Sequence, residues 1–264
     1  MRNVRLSREN ERIPRDVLAT GNQYPAQTVL ARHAHARGQL LYAATGSFTA
    51  ITDGGSWVVP PRRALWIAPD VPHEIHMHGA VATRSVYLRS QAITAAGLPA
   101  RCRVIGVSPL LHALLLEAVD VPVEYATDGR DGRLMALLVD EIAAMPELPL
   151  STPLPRDPRL RRLCRALIDA PALEIDTDAM AYKAGMSRRH FTRQFRAQTG
   201  MSFGVWRQQA CLLAALTRMG NGEPVTRIAA DLGYGSVSAF SAAFRRVLGM
   251  PPSRYLGASG RQAG

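Results

Sequence analysis

The sequence predicts an α+β protein with two domains, and three observations carry that prediction. Residues 24–88 form short, alternating apolar runs separated by turn signals, which is typical of strands. Residues from about 159 onward are helical in pattern, and a proline-rich stretch lies between the two parts. The 264 residues, 47% of them hydrophobic, can bury a core in each of two domains. We therefore expect a β-barrel or jelly roll at the N-terminal side and an all-α domain at the C-terminal side.

The strand-rich part is predicted as residues 1–108. Its central stretch, QLLYAATGSFTAITDGGSWVVPPRRALWIAPDVPHEIHMHG, alternates apolar and polar positions. Asp53-Gly54-Gly55 is a hairpin signal, and Pro60-Pro61 separates two strands. Regular strand spacing of this kind is typical of a small barrel or a jelly roll. The aromatic side chains Tyr42, Trp57 and Trp66 are predicted either as plain core or, less simply, as the lining of a pocket.

A helical segment and a linker are predicted next. Within residues 109–146, apolar positions follow a helical period in two groups. This surface exceeds what the barrel alone needs to bury, so we expect these helices to form a homodimer contact. Five prolines in residues 146–158 exclude a helix there and predict a semi-rigid linker, residues 147–158, with few contacts of its own. The two apolar groups are Leu111, Leu114, Leu115 and Ala118, and Leu134, Leu137, Leu138 and Ile142.

Charge and composition restrict the class of protein. The net charge is +11, and residues 156–264 carry 17 Lys and Arg against 7 Asp and Glu, which is +10 of that total. Such asymmetry predicts a polyanionic partner for the C-terminal domain alone. Three widely spaced cysteines predict no disulfide framework. The charged N-terminal stretch and the absence of a long apolar run predict a cytoplasmic protein with no secretory signal and no membrane span.

The helical domain, residues 159–264, contains an internal repeat. Ala181-x3-Gly185 is followed by a phenylalanine, a Phe-Arg pair and a Gly-Met pair. The same residues follow Ala229-x3-Gly233, with one extra residue in the turn. This repetition indicates one supersecondary unit built twice.

Each copy has the pattern of two short helices separated by a glycine turn. Asp176 or Thr177 can cap the first helix, Gly185 permits the turn, and Ser187 caps the second helix. Phenylalanines one turn apart on the second helix must face the core, which leaves a basic outer face. Such a unit predicts a helix-turn-helix that reads double-stranded DNA.

This pattern resembles the AraC/XylS family of bacterial transcription regulators. The strongest resemblance lies in RIAADLGYGSVSAFSAAFRRVLGMPPSRY, and RHAHARGQL with WIAPDVPHEI is similar to the cupin barrel of one subgroup. The resemblance implies two recognition helices in successive major grooves, a homodimer, a small-molecule effector and contact with RNA polymerase. The DNA-contacting positions it implies are Ser187, Arg188, Arg189, Thr192, Arg193, Arg196, Ser236, Val237, Ser238, Ala242, Arg245 and Arg246. Arg193 can bond a guanine edge, whereas Val237 and Ala242 offer little hydrogen bonding to bases.

The predicted barrel carries a cluster of potential metal ligands. His33-x-His35-x3-Gln39-x6-Gly46 matches the spacing of the first cupin motif, with Gln39 in place of the usual glutamate, and Pro69-x3-His73 resembles the second. By that resemblance His33, His35, Gln39 and His73 converge on Zn, Ni, Fe or Mn. His76 and His78 fall on the opposite face of the strand by alternation.

Three interpretations of this cluster stay open: a metal site that helps to sense an effector, a metal-free polar pocket, or a structural cluster. The main prediction is a sequence-specific transcription regulator that responds to an effector or metal in the barrel. The alternative is a metal-dependent cupin enzyme, a dioxygenase or isomerase, fused to a DNA-binding domain. RNA binding is disfavoured, because the repeat carries no aromatic stacking platform.

Overall fold

The structure is a computed structural model that describes residues 13–249 and 251–255. Most of the charged N-terminal stretch, and Met250 of the second Gly-Met pair, lie outside the described residues. The chain divides into two compact units. Among the described residues, one unit is formed by those up to Ala50 together with Val59–Leu148, and the other by Ile51–Val58 together with those from Pro149 onward.

The first unit is built on an antiparallel sheet, as the strand pattern predicts. Strands β1, β6, β3, β5, β7 and β8 lie in that order, and β2 pairs with β6. The long strands β1 and β6 pair over eight residues, from Val17 opposite Leu88 to Tyr24 opposite Val81. The strand bounds are β1 Val17–Tyr24, β2 Val29–His33, β3 Gly38–Thr52, β4 Gly55–Val59, β5 Ala64–Ile67, β6 His73–Leu88, β7 Arg103–Ile105, β8 Glu147–Leu148 and β9 Ser151–Pro153.

The described part of this unit also contains the helices α1 Ser90–Ala95, α2 Pro109–Glu117 and α3 Arg130–Ala144. They share a core with one face of the sheet, where Tyr42 and Trp66 are fully buried. Tyr42 and Trp66 therefore belong to the core, and the pocket interpretation of these two residues is wrong.

The apolar surface of α2 and α3 is largely used within the first unit. Leu111, Leu115, Leu138 and Ile142 are fully buried in the same core as the sheet. The prediction that Leu138 lies in a dimer contact is wrong, because this side chain already packs inside its own unit. Leu137, one residue away, is 44% exposed.

The second unit contains helices α4 Pro158–Asp169, α5 Thr177–Lys183, α6 Arg188–Thr199, α7 Phe203–Gly220, α8 Val225–Asp231 and α9 Val237–Leu248. Two similar helix pairs, α5–α6 and α8–α9, are joined by the long helix α7. Gly185 and Gly233 have φ values of +65° and +85°, which explains why each turn has a glycine. The predicted serine caps are confirmed: Ser187 accepts from the amide of His190, and Ser236 from that of Ala239.

Aromatic side chains form the core beneath the first helix pair. The rings of Phe191, Phe195, Phe203 and Trp206 stack or meet edge to face at centroid distances of 5.4 to 5.9 Å. All four side chains are at most 2% exposed. The phenylalanines predicted to face inward therefore do so, and they fix which side of α6 faces solvent.

The proline-rich segment is more ordered than a linker with few contacts. Its first residues form β8, which pairs with β7, and its later residues form β9, which pairs with β4. In the second unit, the indole of Trp206 donates to the carbonyl of Pro153 at 2.7 Å, and Gln209 donates to the carbonyl of Ser151 at 2.5 Å. The prediction that this segment makes few contacts is wrong, because two of its stretches pair with strands and its carbonyl groups accept hydrogen bonds from Trp206 and Gln209.

Among the described residues, none of the helices is both long enough and apolar enough to span a bilayer.

Candidate functional site

Three histidines of the first unit converge at one end of the sheet. His33 ends β2 and pairs in register with His73, the first residue of β6. His35 follows in the β2–β3 connection, and the ligand nitrogens of all three lie within 4.8 Å of one another. Since two nitrogens on one zinc ion are at most about 4.2 Å apart, small side-chain movements bring this set to coordinating distance.

Backbone carbonyls hold all three imidazoles by the same ring atom. Nδ1 of His33 lies 2.8 Å from the carbonyl oxygen of Ala31, Nδ1 of His73 lies 2.8 Å from that of Val71, and Nδ1 of His35 lies 2.6 Å from that of Arg37. An Nδ1–H that donates to a carbonyl leaves Nε2 as a lone pair, the arrangement that orients histidine ligands in metal sites. The donor set therefore fits a transition metal.

His73 is the most buried member of the cluster, with 1% of its surface exposed. Burial is the main cause that lowers the pKa of His73 to about 4, and the neighbouring His33, His35 and Arg32 lower it further. The ring is therefore neutral at physiological pH, as a metal ligand must be.

Gln39 completes the predicted set from the floor of the cavity. It is buried on β3, and its Oε1 lies 3.0 Å from Nε2 of His35. Its Nε2 lies 3.0 and 3.1 Å from the hydroxyl oxygens of Ser85 and Tyr87. Because Nε2 of His35 is an acceptor when Nδ1–H donates to Arg37, the Gln39 amide must present its NH2 group to His35 there. The hydroxyls of Ser85 and Tyr87 then donate to its oxygen.

These residues line a cavity of about 400 Å³. Strands β1 and β6 contribute lining residues that are absent from the predicted site, namely Asn22, Tyr24, Ser85 and Tyr87. Part of this signal is present in the sequence, because Ser85 and Tyr87 alternate with the apolar Val86 and Leu88. His76 and His78 lie elsewhere: His76 pairs with Glu74, and His78 contacts Thr49.

The second unit presents a basic surface on α6. Ser187, Arg188, Arg189, Thr192, Arg193 and Arg196 are all exposed. Arg188 is not entirely free for a ligand, since Nη1 forms an ion pair with Asp178 at 2.5 Å. Nη2 of Arg193 lies 3.3 Å from Nδ1 of His190, a contact that orients the guanidinium on the outer face.

The corresponding surface of α9 is less polar. Ser236, Val237, Ser238, Ala242, Arg245 and Arg246 are exposed. Only the last turn is charged, and Arg246 donates to Gln208 of α7 at 3.1 Å. The two helix pairs thus present faces of different chemistry, with hydrogen-bond donors concentrated on α6.

Comparison with known proteins gives matches to both parts of the chain. Residues 16–139 match the family model described as an AraC-like ligand binding domain. Residues 180–258 match a helix-turn-helix domain.

Individual proteins and one solved structure are similar to this chain. The HTH-type transcriptional regulator NimR of Escherichia coli (strain K12) is 31% identical over 227 residues, which cover 85% of this chain and 81% of NimR. The regulatory protein SoxS of Salmonella typhimurium (strain LT2) is 39% identical over 89 residues, 33% of this chain and 80% of SoxS. A crystal structure of fatty acid-bound ToxT from Vibrio cholerae is similar to this chain with a TM-score of 0.41. The match covers 94% of this chain and 97% of the ToxT chain, at 11% sequence identity.

Proposed function

The chain belongs to the AraC family of transcriptional regulators, and we propose that it reads DNA through two helix-turn-helix units while its sheet domain senses a small molecule. An AraC-type regulator with a ligand-binding domain is what the matches show. The residues that contact each ligand, the cupin form of the barrel and the double helix-turn-helix are the proposed parts. The matches give no support to the alternative of a cupin enzyme fused to a DNA-binding domain.

One observation supports the DNA proposal most directly. The chain contains two similar helix pairs, and the second helix of each, α6 or α9, has an exposed face. Phe191 and Phe195 are buried, so Arg189, Thr192 and Arg193 must face outward. An arginine on a recognition helix can bond guanine O6 and N7 together, and flanking arginines hold phosphates. We assign base contacts mainly to α6, and backbone contacts to Arg245 and Arg246.

The test of this assignment uses the full chain and duplexes selected from a random library. Arg193→Ala is expected to weaken specific binding by about 1–3 kcal/mol and to relax preference at one base pair. Arg133→Ala, which removes an exposed arginine of the first unit, is the charge-matched control and leaves binding near wild type. Equal losses for both variants would contradict base reading by α6.

The second part of the proposal is a transition metal, Zn, Ni, Fe or Mn, held by His33, His35 and His73 with Gln39 beside them. The shared Nδ1–carbonyl pattern and the neutral state of His73 support it. A bound metal supplies an electrophilic centre to which an effector can bind. The protein's own residues shape the cavity, orient the imidazoles and exclude bulk water from His73.

Elemental analysis of protein purified without a His-tag or chelator tests this part. Wild type is expected to carry about one metal ion per chain, and His35→Ala is expected to lose it. His76→Ala is the matched control, because His76 pairs with Glu74 outside the cluster. If wild type carries no metal, the metal-free polar pocket is the better interpretation.

We extend the proposal to a cytoplasmic homodimer that contacts RNA polymerase, as the family resemblance implies. Exposed leucines on α2 and α3 support a contact between copies: Leu110, Leu116 and Leu137 are 47%, 37% and 44% exposed. We propose the predicted domain limits, residues 1–108, 109–146, 147–158 and 159–264, as functional divisions of the chain, although its compact units are divided differently.

A further inference from the structure

Charge at the histidine cluster identifies the class of the effector. We propose that the cavity binds a small carboxylate with an apolar body, whose negative charge compensates the metal. The proposal rests on the metal site proposed above.

The cavity supplies no negative charge of its own. Among the described residues that line it, none is an aspartate or glutamate, and the group of potential ligands consists of histidines alone. Gln39 is a neutral amide at the position where the cupin motif usually has a glutamate, and Arg32 adds a positive charge. Imidazole and amide ligands bring no negative charge to a metal, so they would leave a divalent ion with its full charge.

An uncompensated double charge is costly in a partly buried site. Removing a charge from water costs free energy unless an opposite charge lies close to it. A site without such a partner therefore binds the charged ion more weakly. Solvent reaches the cluster at His33, but His73 and Gln39 are 1% and 6% exposed, so water screens the inner side poorly. A ligand that brings a carboxylate oxygen compensates the charge of the metal.

The rest of the cavity wall describes the remainder of the ligand. Leu30, Leu41 and Ile75 provide an apolar surface for its body. Asn22, which is 3% exposed, also lines the cavity, and its Oδ1 has no hydrogen-bond partner in the structure. A buried acceptor of this kind favours a ligand that carries a hydroxyl or N–H donor as well. We therefore assign a hydroxy- or amino-substituted carboxylic acid.

The experiment measures how carboxylate and metal affect each other's binding. The full chain, freed of metal, is titrated with Zn²⁺ by calorimetry alone, with benzoate, and with benzamide, in a buffer without coordinating anions. Benzoate is expected to raise zinc affinity about tenfold, because coupled ligands strengthen each other reciprocally. Benzamide has the same size and no charge, and it is expected to leave zinc affinity unchanged. 4-Hydroxybenzoate is expected to raise zinc affinity more than benzoate does, because its hydroxyl can donate to Asn22. Asn22→Leu is expected to remove the difference between the two compounds.

Two variants of Gln39 separate charge from shape. Gln39→Glu supplies the missing carboxylate, so it is expected to bind zinc more tightly without benzoate and to lose the benzoate effect. Gln39→Leu removes the amide oxygen without adding a charge. It is therefore expected to bind zinc more weakly and to keep the benzoate effect. Thermal unfolding of both variants, with and without zinc, checks that each of them is folded.

The outcomes distinguish this inference from the metal proposal. If wild type binds zinc with the same affinity in benzoate and benzamide, the carboxylate assignment is overturned and the metal site stands. If Gln39→Glu keeps the benzoate effect, charge compensation is not its cause and the inference fails. If wild type binds neither Zn²⁺ nor Ni²⁺, Fe²⁺ or Mn²⁺ in the same titration, the metal proposal itself fails, and the inference fails with it.

Discussion

At the scale of single residues, spacing predicts which histidines meet but not what surrounds them. His33 and His35 are two residues apart, so an extended chain places both side chains on the same side. Their proximity therefore follows from local backbone geometry. Ser85 and Tyr87 reach the cavity because β1 pairs with β6 in one particular register, with Leu18 opposite Tyr87. That register joins residues about 70 positions apart in the sequence. A short motif contains no information about it.

Buried and half-buried histidines also predict how stability depends on pH. Burial lowers the pKa of His78, with a further contribution from His76, and Nε2 of His78 lies 2.8 Å from the hydroxyl of Thr49. A depressed pKa in the folded state means that the unfolded chain takes up the proton first as pH falls. Stability from this group is therefore complete above about pH 6.5 and declines as the pH falls below that value.

We expect His78→Gln to reduce this acid sensitivity. Urea unfolding of wild type and variant at pH 7.5 and pH 5.5 measures the free energy of unfolding in each case. The variant is expected to lose less stability between the two pH values, while His73 and His112 still contribute, because burial also lowers their pKa values. An equal loss in both proteins would show that His78 keeps its ordinary pKa when folded.

At the scale of elements, the helical period predicts α2 and α3 but not which apolar side each turns to the sheet. Leu134, Leu137 and Leu138 satisfy the same pattern, yet Leu138 is fully buried and Leu137 is 44% exposed. A helix with a wide apolar stripe has several orientations that satisfy its period equally. Packing against the sheet selects one orientation, and this depends on residues far away in the sequence.

The two neighbouring leucines therefore give opposite predictions. Leu138→Arg is expected to destabilise the first unit by about 4 kcal/mol or more, because an unpaired charge would replace a core side chain. Leu137→Arg is expected to remain folded and, if the proposed homodimer uses this surface, to sediment as a monomer. Sedimentation and circular dichroism of both variants check this. A folded Leu138→Arg, or a dimeric Leu137→Arg, would contradict these assignments.

The strand β9 predicts a second effect at this scale. Gln209, which is 8% exposed, donates to the carbonyl of Ser151. Gln209→Leu is expected to lower the free energy of unfolding of the second unit by about 1–3 kcal/mol, because that carbonyl loses its donor. Gln208→Leu, on the same helix, removes a bond to Arg246 and a contact with the hydroxyl of Tyr234, and it is expected to cost less than Gln209→Leu because Gln208 is only half-buried. Thermal denaturation compares the two.

At the scale of the whole molecule, composition predicts two functions for two parts of the chain. The charge excess and the repeat both lie after residue 156, and the repeat corresponds to the two helix pairs with their glycine turns and serine caps. What composition does not predict is where the compact units divide. The second unit takes in Ile51–Val58, because β4 pairs with β9.

The isolated fragment 156–264 offers a prediction about the whole molecule. It is expected to bind DNA with a steep salt dependence, since it keeps the basic surface of α6. It is also expected to unfold more readily than the same helices in the full chain, because Trp206 and Gln209 lose the carbonyls of Pro153 and Ser151. Mobility shift over increasing salt and thermal melting measure the two properties. Salt-independent binding would contradict the electrostatic assignment.

The pairing of β4 with β9 limits how this regulator can be recombined with others. A hybrid that joins a foreign sensor to these helices at residue 156 would discard the acceptors of Trp206 and Gln209. Moving the junction to Pro149 would retain both acceptors, yet β9 would still lack its neighbour at Gly55–Trp57. A Cβ at Gly55 would lie 2.9 Å from the carbonyl oxygen of Thr152, so a foreign hairpin needs a glycine at that position as well. The transferable cassette is therefore discontinuous, and a biosensor built from it needs two grafts rather than one.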